Sequence, residues 1–455
     1  VLRLVGSVDP AQVCGYIRKL WGSRRFRRVE VIRLSGGWQI FPALYDALAE
    51  AVRRDIANDW GNAMTLMKLG RRYIVNAVRN LALIPKARSI ANLNFGDSPV
   101  LALGAGPSLD LILAGLQSSF GKTLYTDSLR PFRIICVDTA LQALEARNIK
   151  PDLVVALESQ HWNLRDFVGS GSWEIPVAMD LSALPATREV LGSRIALFAT
   201  PWTELRFFHR LKTAGLLPET FPPLGSVGLT VIAIARRIAS GPIMIGGLDF
   251  SYTLDGFHAR STPSCREALR RQTRFRSIFN GDLIFRPGAF TALSKSGLPV
   301  RTNPALKLYR DLFEKEFARD SRIRDIAGPG LPLGVKTLSL EDALRVLRGG
   351  DRPVQRVSLE KTHTDKKRAE AAGAFIRNER DALTMLRDIL TGALPAAPEK
   401  LETLLGDCDY LWAHFPECAG TGGRRPSGND RSFLNRVRTE IDPLIRCFDL
   451  ALHEL

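Results

Sequence analysis

A glycine-rich turn, one isolated histidine and a small set of acidic and hydroxyl side chains are the residues here whose types and spacing could do chemistry. Pro99 to Leu103 is an apolar run of strand character that breaks into Gly104-Ala105-Gly106-Pro107-Ser108. Leu109 and Asp110 then open a helix-like stretch to Leu116. A strand that ends in glycines and starts a helix brings backbone N–H groups and a positive dipole end to one point, which suits phosphate or another anion. Pro107 fits the first helical turn, where its missing N–H costs nothing. Ser108 can offer a hydroxyl and an N–H at the same place. Two glycines fall short of the dinucleotide fingerprint, which needs a third glycine and an acidic ribose ligand. An ordinary strand-to-helix turn is the competing reading.

Other candidates also stand just after apolar runs: Asp138-Thr139, Glu158-Ser159-Gln160-His161, and Gly246-Gly247-Leu248-Asp249-Phe250-Ser251-Tyr252 followed by His258 and Arg260. Ser226-Val227, after Gly225, is a second place where a helix start could capture an anion. A neutral imidazole accepts a proton near physiological pH, so His258 on a loop is a candidate general base. A lone loop histidine is more often structural or exposed. Asp249 and Glu158 could shape a site or only cap their turns. His161 and Asn163 are weaker candidates. Asp407-Cys408-Asp409 imitates a metal-binding Asp-x-Asp, but alternate residues of a helix point different ways, which makes it surface charge. No metal is expected, and phosphate charge would meet backbone dipoles and hydroxyls.

The elements that must position these residues read as alternating strands and helices. Strands are expected at Val100–Leu103, Arg133–Val137, Leu153–Leu157, Val177–Met179, Ile195–Phe198 and Pro242–Ile245, with helices such as Ala140–Arg147 and Gly228–Ala239 between them. Near-continuous apolar strands alternating with helices indicate a Rossmann-like, mostly parallel sheet covered on both faces, whose ligand sits at the carboxyl ends of the strands. Before it, Val29–Leu34 reads as a strand and Pro42–Arg54 and Ala63–Leu83 as helices, giving an N-terminal α/β region. Residues 265–320 read as basic and mostly helical, interrupted near 280–288 and 297–304. The end of the chain reads as a helical hairpin or small bundle holding a polar loop at 420–428. The expected division is 1–90, 91–335 and 336–455.

Composition narrows the classes. The 455 residues suffice for two or three domains, with ordinary apolar and charged content. Six scattered cysteines without a Cys-x-x-Cys pair read as thiols of a reducing compartment. No apolar run is long enough to cross a bilayer and the first residues lack a signal-peptide core, so the cytoplasm is the expected location. The net charge is +16, and residues 1–90 hold sixteen Lys or Arg against six Asp or Glu. No recognised nucleic-acid motif accompanies that charge, and no nucleic-acid partner is expected. The Arg24-Arg25-Phe26-Arg27-Arg28 cluster reads as a solvated face, or as a dock for an acidic partner surface.

Gly104-Ala105-Gly106-Pro107-Ser108-Leu109, Val137-Asp138-Thr139-Ala140-Leu141, Lys150 to Glu158, Gly225-Ser226-Val227, Gly246-Gly247-Leu248-Asp249-Phe250 and His258 occur in that order. Together they resemble the motility-associated factor glycosyltransferases, which share a domain with 6-hydroxymethylpterin diphosphokinase-like proteins. The match spans roughly residues 95–330, and the central part is also similar to bacterial sialyltransferases. The resemblance implies transfer of a nonulosonic acid, pseudaminic or legionaminic, from a CMP-activated donor to Ser or Thr of flagellin. It implies His258 as general base. Gly104, Ala105, Gly106, Pro107, Ser108 and Leu109 would lie at the nucleotide, and Asp138, Thr139, Glu158 and Asp249 near nucleotide or sugar. Ser226 and Val227 would meet the donor carboxylate, and Tyr252 the departing phosphate, with no second tyrosine evident and Arg260 as a substitute. A diphosphokinase using ATP and Mg²⁺, and a non-catalytic flagellar assembly or binding protein, are the alternatives.

Overall fold

Leu83–Thr200 and Pro218–Lys366 make one of two compact units in the computed structural model, and its centre is a parallel sheet. The strands are β1 (Arg88–Ser89), β2 (Val100–Leu103), β3 (Arg133–Val137), β4 (Leu153–Ala156), β5 (Val177–Asp180), β6 (Ile195–Phe198), β7 (Ile243–Gly246), β8 (Phe290–Leu293), β9 (Pro299–Thr302), β10 (Ile323–Ile326) and β11 (Lys336–Leu338). The structure describes residues 5–33, 36–124, 130–170, 174–191, 194–253, 256–275, 285, 287–349, 365–419, 428 and 430–455.

Nine strands pair in the order β1-β6-β5-β4-β3-β2-β7-β10-β11, every pair parallel. Every residue of β2 to β7 is buried, which is why these strands read as apolar runs. The chain winds outward from β2 to β6, then returns to set β7 on the other side of β2. That reversal is a topological switch point, where the loops after two neighbouring strands diverge and leave a crevice. Leu103 pairs with both Cys136 and Gly246, so the loops that follow β2, β3 and β7 begin at one level. Helix Val227–Ile238 covers β2, β3 and β4 and buries Leu229, Val231, Ile232, Ile234 and Ile238. Each such side chain stabilises by roughly 1.5–3 kcal/mol. The Rossmann-like parallel sheet expected from the sequence is present.

Two stretches depart from expectation in this unit. Among the described residues of 265–320, an antiparallel β8–β9 hairpin that was not expected lies between helices Pro263–Arg270 and Pro304–Phe317. Residue 336 is not a boundary, because β11 pairs with β10 and helix Leu340–Arg348 stays with the sheet.

The other unit gathers Val1–Ala82, Pro201–Leu217 and Lys367–Leu455, so the two flanks expected as separate regions form one body. Its described elements are helical: Pro10–Phe26, Gly37–Ile40, Pro42–Asn80, Arg206–Thr213, Lys366–Thr391, Pro398–Asp407 and Arg431–Glu454. Residues 29–33 are not a strand. Val29 and Val31 pack on Cys14, Ala51 and Val52 of two helices, so their alternation serves a helical surface and finds no sheet to join. Pro42–Asn80 runs unbroken through Trp60-Gly61, where a break was expected. Phe207, Phe375, Tyr410 and Phe448 form a ring cluster, and Arg210 forks onto Glu379 at 2.6 and 2.9 Å. The loop expected at 420–428 lies, but for Gly428, outside the described residues.

Candidate functional site

The loops after β2 and β7 meet backbone to backbone at the switch point. Gly104 N–H donates to Gly246 O and Gly106 N–H to Gly247 O, both at 2.8 Å. A Cβ on Gly104 would stand 2.4 Å from Gly247 O, and one on Gly247 would stand 2.4 Å from Gly104 O. Only glycine fits at either place, and Gly247 also has φ +71°. Ser108, 2 % exposed, ties the loops together again: its N–H donates to Asp249 Oδ2 at 2.8 Å, and its Oγ accepts from Gly247 N–H at 3.2 Å.

Beside this junction lies an open pocket of about 150 Å³. Its walls are Gly104, Ala105 and Gly106, Val137 and Thr139, Ser226 to Gly228, Gly247 to Ser251, Phe257, His258 and Leu306. The sequence candidates Gly104, Ala105, Gly106, Thr139, Ser226, Val227, Asp249 and His258 are thus brought together. Pro107, Ser108, Leu109, Asp138, Glu158 and Tyr252 stand outside the lining. Leu109 is core, 0 % exposed. Glu158 Oε1 accepts the N–H groups of Ser159 and Gln160, a turn cap.

The turn after β2 turns its polar groups inward. The N–H groups of Gly106, Ser108 and Leu109 donate to Gly247 O, Asp249 and Gly106 O, so they are engaged within the protein. The second helix start differs. Ser226 is the N-cap of Val227–Ile238 without a side-chain cap bond, and Ser226, Val227 and Gly228 face the pocket. The first N–H groups of a helix have no partner inside it, and the dipole is positive there. Of the two anion sites expected, this one opens on the cavity.

His258 packs against Phe257 with ring centroids 4.2 Å apart and the planes tilted by 49°, and its Nδ1 lies 2.7 Å from Ser264 Oγ. Burial, then the positive charge of Arg165, lowers its pKa to about 4, so the ring is neutral at pH 7. Asp138 sits behind Thr139. Its Oδ1 accepts Thr139 N–H at 2.8 Å, its Oδ2 accepts Asn163 Nδ2 at 3.1 Å, and burial raises its pKa to about 6. Asp166 is raised to about 7 by burial and then by the charge of Asp138. Asn163, a weaker candidate by sequence, is therefore a partner of Asp138, whereas His161 is exposed and outside the lining. Tyr252 is buried, packed on Phe257, and its hydroxyl accepts from the Asn303 amide. Arg260 N–H donates to Asp110 Oδ2 at 2.9 Å.

Residues 71–255 match the family described as 6-hydroxymethylpterin diphosphokinase MptE-like. An uncharacterized protein of Treponema pallidum (strain Nichols) is 29 % identical over 438 residues, spanning 92 % of this chain and 73 % of the relative. The structure of the MAf glycosyltransferase from Magnetospirillum magneticum AMB-1 superposes with a TM-score of 0.53 at 14 % identity, covering 98 % of this chain and 68 % of that one. At that identity the likeness is one of fold. The relationship to motility-associated factor proteins read from the ordered motifs is borne out by the domain match together with this shared fold.

Beyond the matched residues, Tyr309 was missed by sequence. It lies three residues after the pocket residue Leu306, on the same helix face, and a Cβ on Gly225 would stand 3.8 Å from its hydroxyl. The positive φ of Phe250, +50°, had no sequence signal. Asp407-Cys408-Asp409 spans the end of one helix and a 3₁₀ turn, where Asp407 accepts from Arg206 Nη1 at 3.0 Å and Asp409 from Arg206 N–H at 2.7 Å. Among the described residues no three His, Cys, Asp or Glu side chains converge on a metal position, and no helix is long and apolar enough to cross a membrane. Arg27 is not on a solvated face: it pairs with Asp59 at 2.7 Å, the two side chains 7 % and 6 % exposed, and donates to Ala419 O.

Proposed function

We propose that the protein is a cytoplasmic glycosyltransferase that moves a nonulosonic acid, pseudaminic or legionaminic, from a CMP-activated donor to Ser or Thr of flagellin. The observation that carries the reading is the meeting of the Gly104–Gly106 turn, the open start of helix Val227–Ile238 and a neutral His258 on one pocket. The donor's carboxylate and phosphate gather at Ser226, Val227 and Gly228, against backbone N–H groups and the dipole. Tyr309, beside Gly225, is the second hydroxyl for the departing phosphate that the sequence lacked. Thr139 faces the nucleotide or sugar, and Asp249 holds the walls in place.

In the reaction the acceptor oxygen bonds to the anomeric carbon as the bond from that carbon to the phosphate oxygen breaks. The electron pair leaves with CMP, and the acceptor proton passes to His258. A single displacement inverts the anomeric centre. Anionic donor in the pocket favours the imidazolium, which lifts the His258 pKa toward working pH in the loaded enzyme. No metal is required in this scheme.

The MptE-like match favours a second reading, a diphosphokinase using ATP and Mg²⁺. Thermal-shift titration with CMP, CDP and ATP, with and without Mg²⁺, separates the two, because a ligand held by the native state raises Tm. Stabilisation by CMP or CDP without metal supports the transferase. Stabilisation by Mg²⁺-ATP alone overturns it.

A further inference from the structure

We infer that Thr262 and Ser264 form a one-way chain of hydrogen-bond donors that holds His258 as the Nδ1–H tautomer. The inference rests on reading His258 as the base, and gives that base its working nitrogen.

The chain follows from which atoms can only accept. Thr262 Oγ1 lies 2.7 Å from Ala259 O, and a carbonyl oxygen has no proton, so the Thr262 hydroxyl donates there. That uses its single proton, and only lone pairs of Thr262 remain for Ser264 Oγ at 3.4 Å. Ser264 then donates toward Thr262 and turns a lone pair to His258 Nδ1 at 2.7 Å. The proton between Ser264 and His258 belongs to Nδ1, and Nε2 keeps its lone pair. The opposite arrangement, Ser264 donating to Nδ1, would set the lone pairs of Thr262 and Ser264 against each other.

The backbone fixes this geometry. Ala259 N–H donates to Ala105 O at 2.9 Å, which anchors the chain's terminus on the glycine turn. Ser261 adopts φ +67°, a conformation rare for a residue with a side chain, and folds Thr262 back under Ala259. Thr262 is 0 % exposed and is the N-cap of Pro263–Arg270, so water does not compete for its hydroxyl. Neither Thr262 nor Ser264 lines the pocket, which makes both positioning residues. When His258 accepts a proton at Nε2, the Nδ1–H···Ser264 bond becomes charge-assisted and the chain polarises toward Ala259 O.

The test is ¹⁵N NMR of the histidine-labelled full chain above pH 6, with His258 assigned by the signal lost in His258→Gln. Wild type is expected to show a pyrrole-type Nδ1 and a pyridine-type Nε2. Thr262→Val, which removes a hydroxyl that never touches His258, frees Ser264 to donate to Nδ1 and makes the Nε2–H form the major one. Thr262→Ser retains the wild-type tautomer. A pyridine-type Nδ1 in wild type, or an unchanged tautomer in Thr262→Val, overturns the inference. Should Thr262→Val not fold, Ser264→Ala decides: a mixture of tautomers supports the chain, and the wild-type spectrum overturns it. Because the readout needs no substrate, a full Nδ1–H tautomer alongside undiminished transfer in His258→Ala would sink the base reading and leave this chain standing.

Discussion

Ser108 and Asp249 stand 141 residues apart in sequence, and the N–H of the first donates to Oδ2 of the second at 2.8 Å. That bond adds a charged tie to the backbone bonds and the Ser108 hydroxyl that close the glycine turn after β2 onto the loop after β7. Asp249→Ala leaves a buried N–H without its partner and is expected to cost about 2 kcal/mol, the range of a hydrogen bond to a charged group. The shift in denaturant midpoint of the full chain measures it. A change below a few tenths of a kcal/mol would mean that the loops hold together without the bond.

Much of this arrangement was legible before the structure. Strands β2 to β7 announce themselves because both faces are covered and nearly every side chain must be apolar. The glycines announce the turn because backbone meets backbone there. The rest was hidden for physical reasons. Strand β10 reads Ile-Arg-Asp-Ile, and its Asp325 is neutralised by Lys295, 30 residues away. Such pairing over distance leaves no local pattern. Val29 and Val31 look like strand because alternation also suits a segment lying on two helices. Tyr309 sits on a helix with three basic and three acidic side chains, of which Leu306 lines the pocket, and no local pattern marks it.

The Asp138–Asp166 pair gives stability a definite pH dependence. Both carboxyls titrate above their usual value, at about 6 and about 7, so between pH 4 and 7 the folded state binds more protons than the unfolded one. Stability contributed by the protonated pair is full below pH 4 and is lost as pH rises through 6 to 7. Asp166→Asn removes the share of that loss that belongs to Asp166 and leaves that of Asp138, whose carboxyl is raised chiefly by burial. At pH 8 it is expected to stabilise by about 2 kcal/mol, on the scale of ~1.4 kcal/mol per pKa unit. Melting temperatures of both proteins at pH 5 and pH 8 check it, and parallel curves would contradict it.

The basic cluster near the N-terminus splits into unlike members. Arg27→Ala strands the buried Asp59 and is expected to cost about 3 kcal/mol. Arg28 is exposed, and Arg28→Ala should stay within about 0.5 kcal/mol of wild type. Urea melts of the two variants measure the contrast. Equal losses would mean that Arg27 acts only as surface charge.

The low pKa of His258 in the free protein predicts the acid limb of kcat/KM. That ratio reports the free enzyme, so the rate should fall as pH drops through about 4, where the imidazole gains its proton. An acid limb at the ordinary histidine value of about 6.5 would show that the ring is solvated as a free side chain.

The most direct test of the account is release of CMP from a CMP-activated nonulosonic acid in the presence of flagellin, comparing wild type with His258→Ala. Removing a general base slows chemistry by about 10²–10⁴-fold. Wild type should release CMP in step with acceptor modification, while His258→Ala binds CMP with unchanged Kd and releases it at least about a hundredfold more slowly. Release by His258→Ala at the wild-type rate would contradict the account.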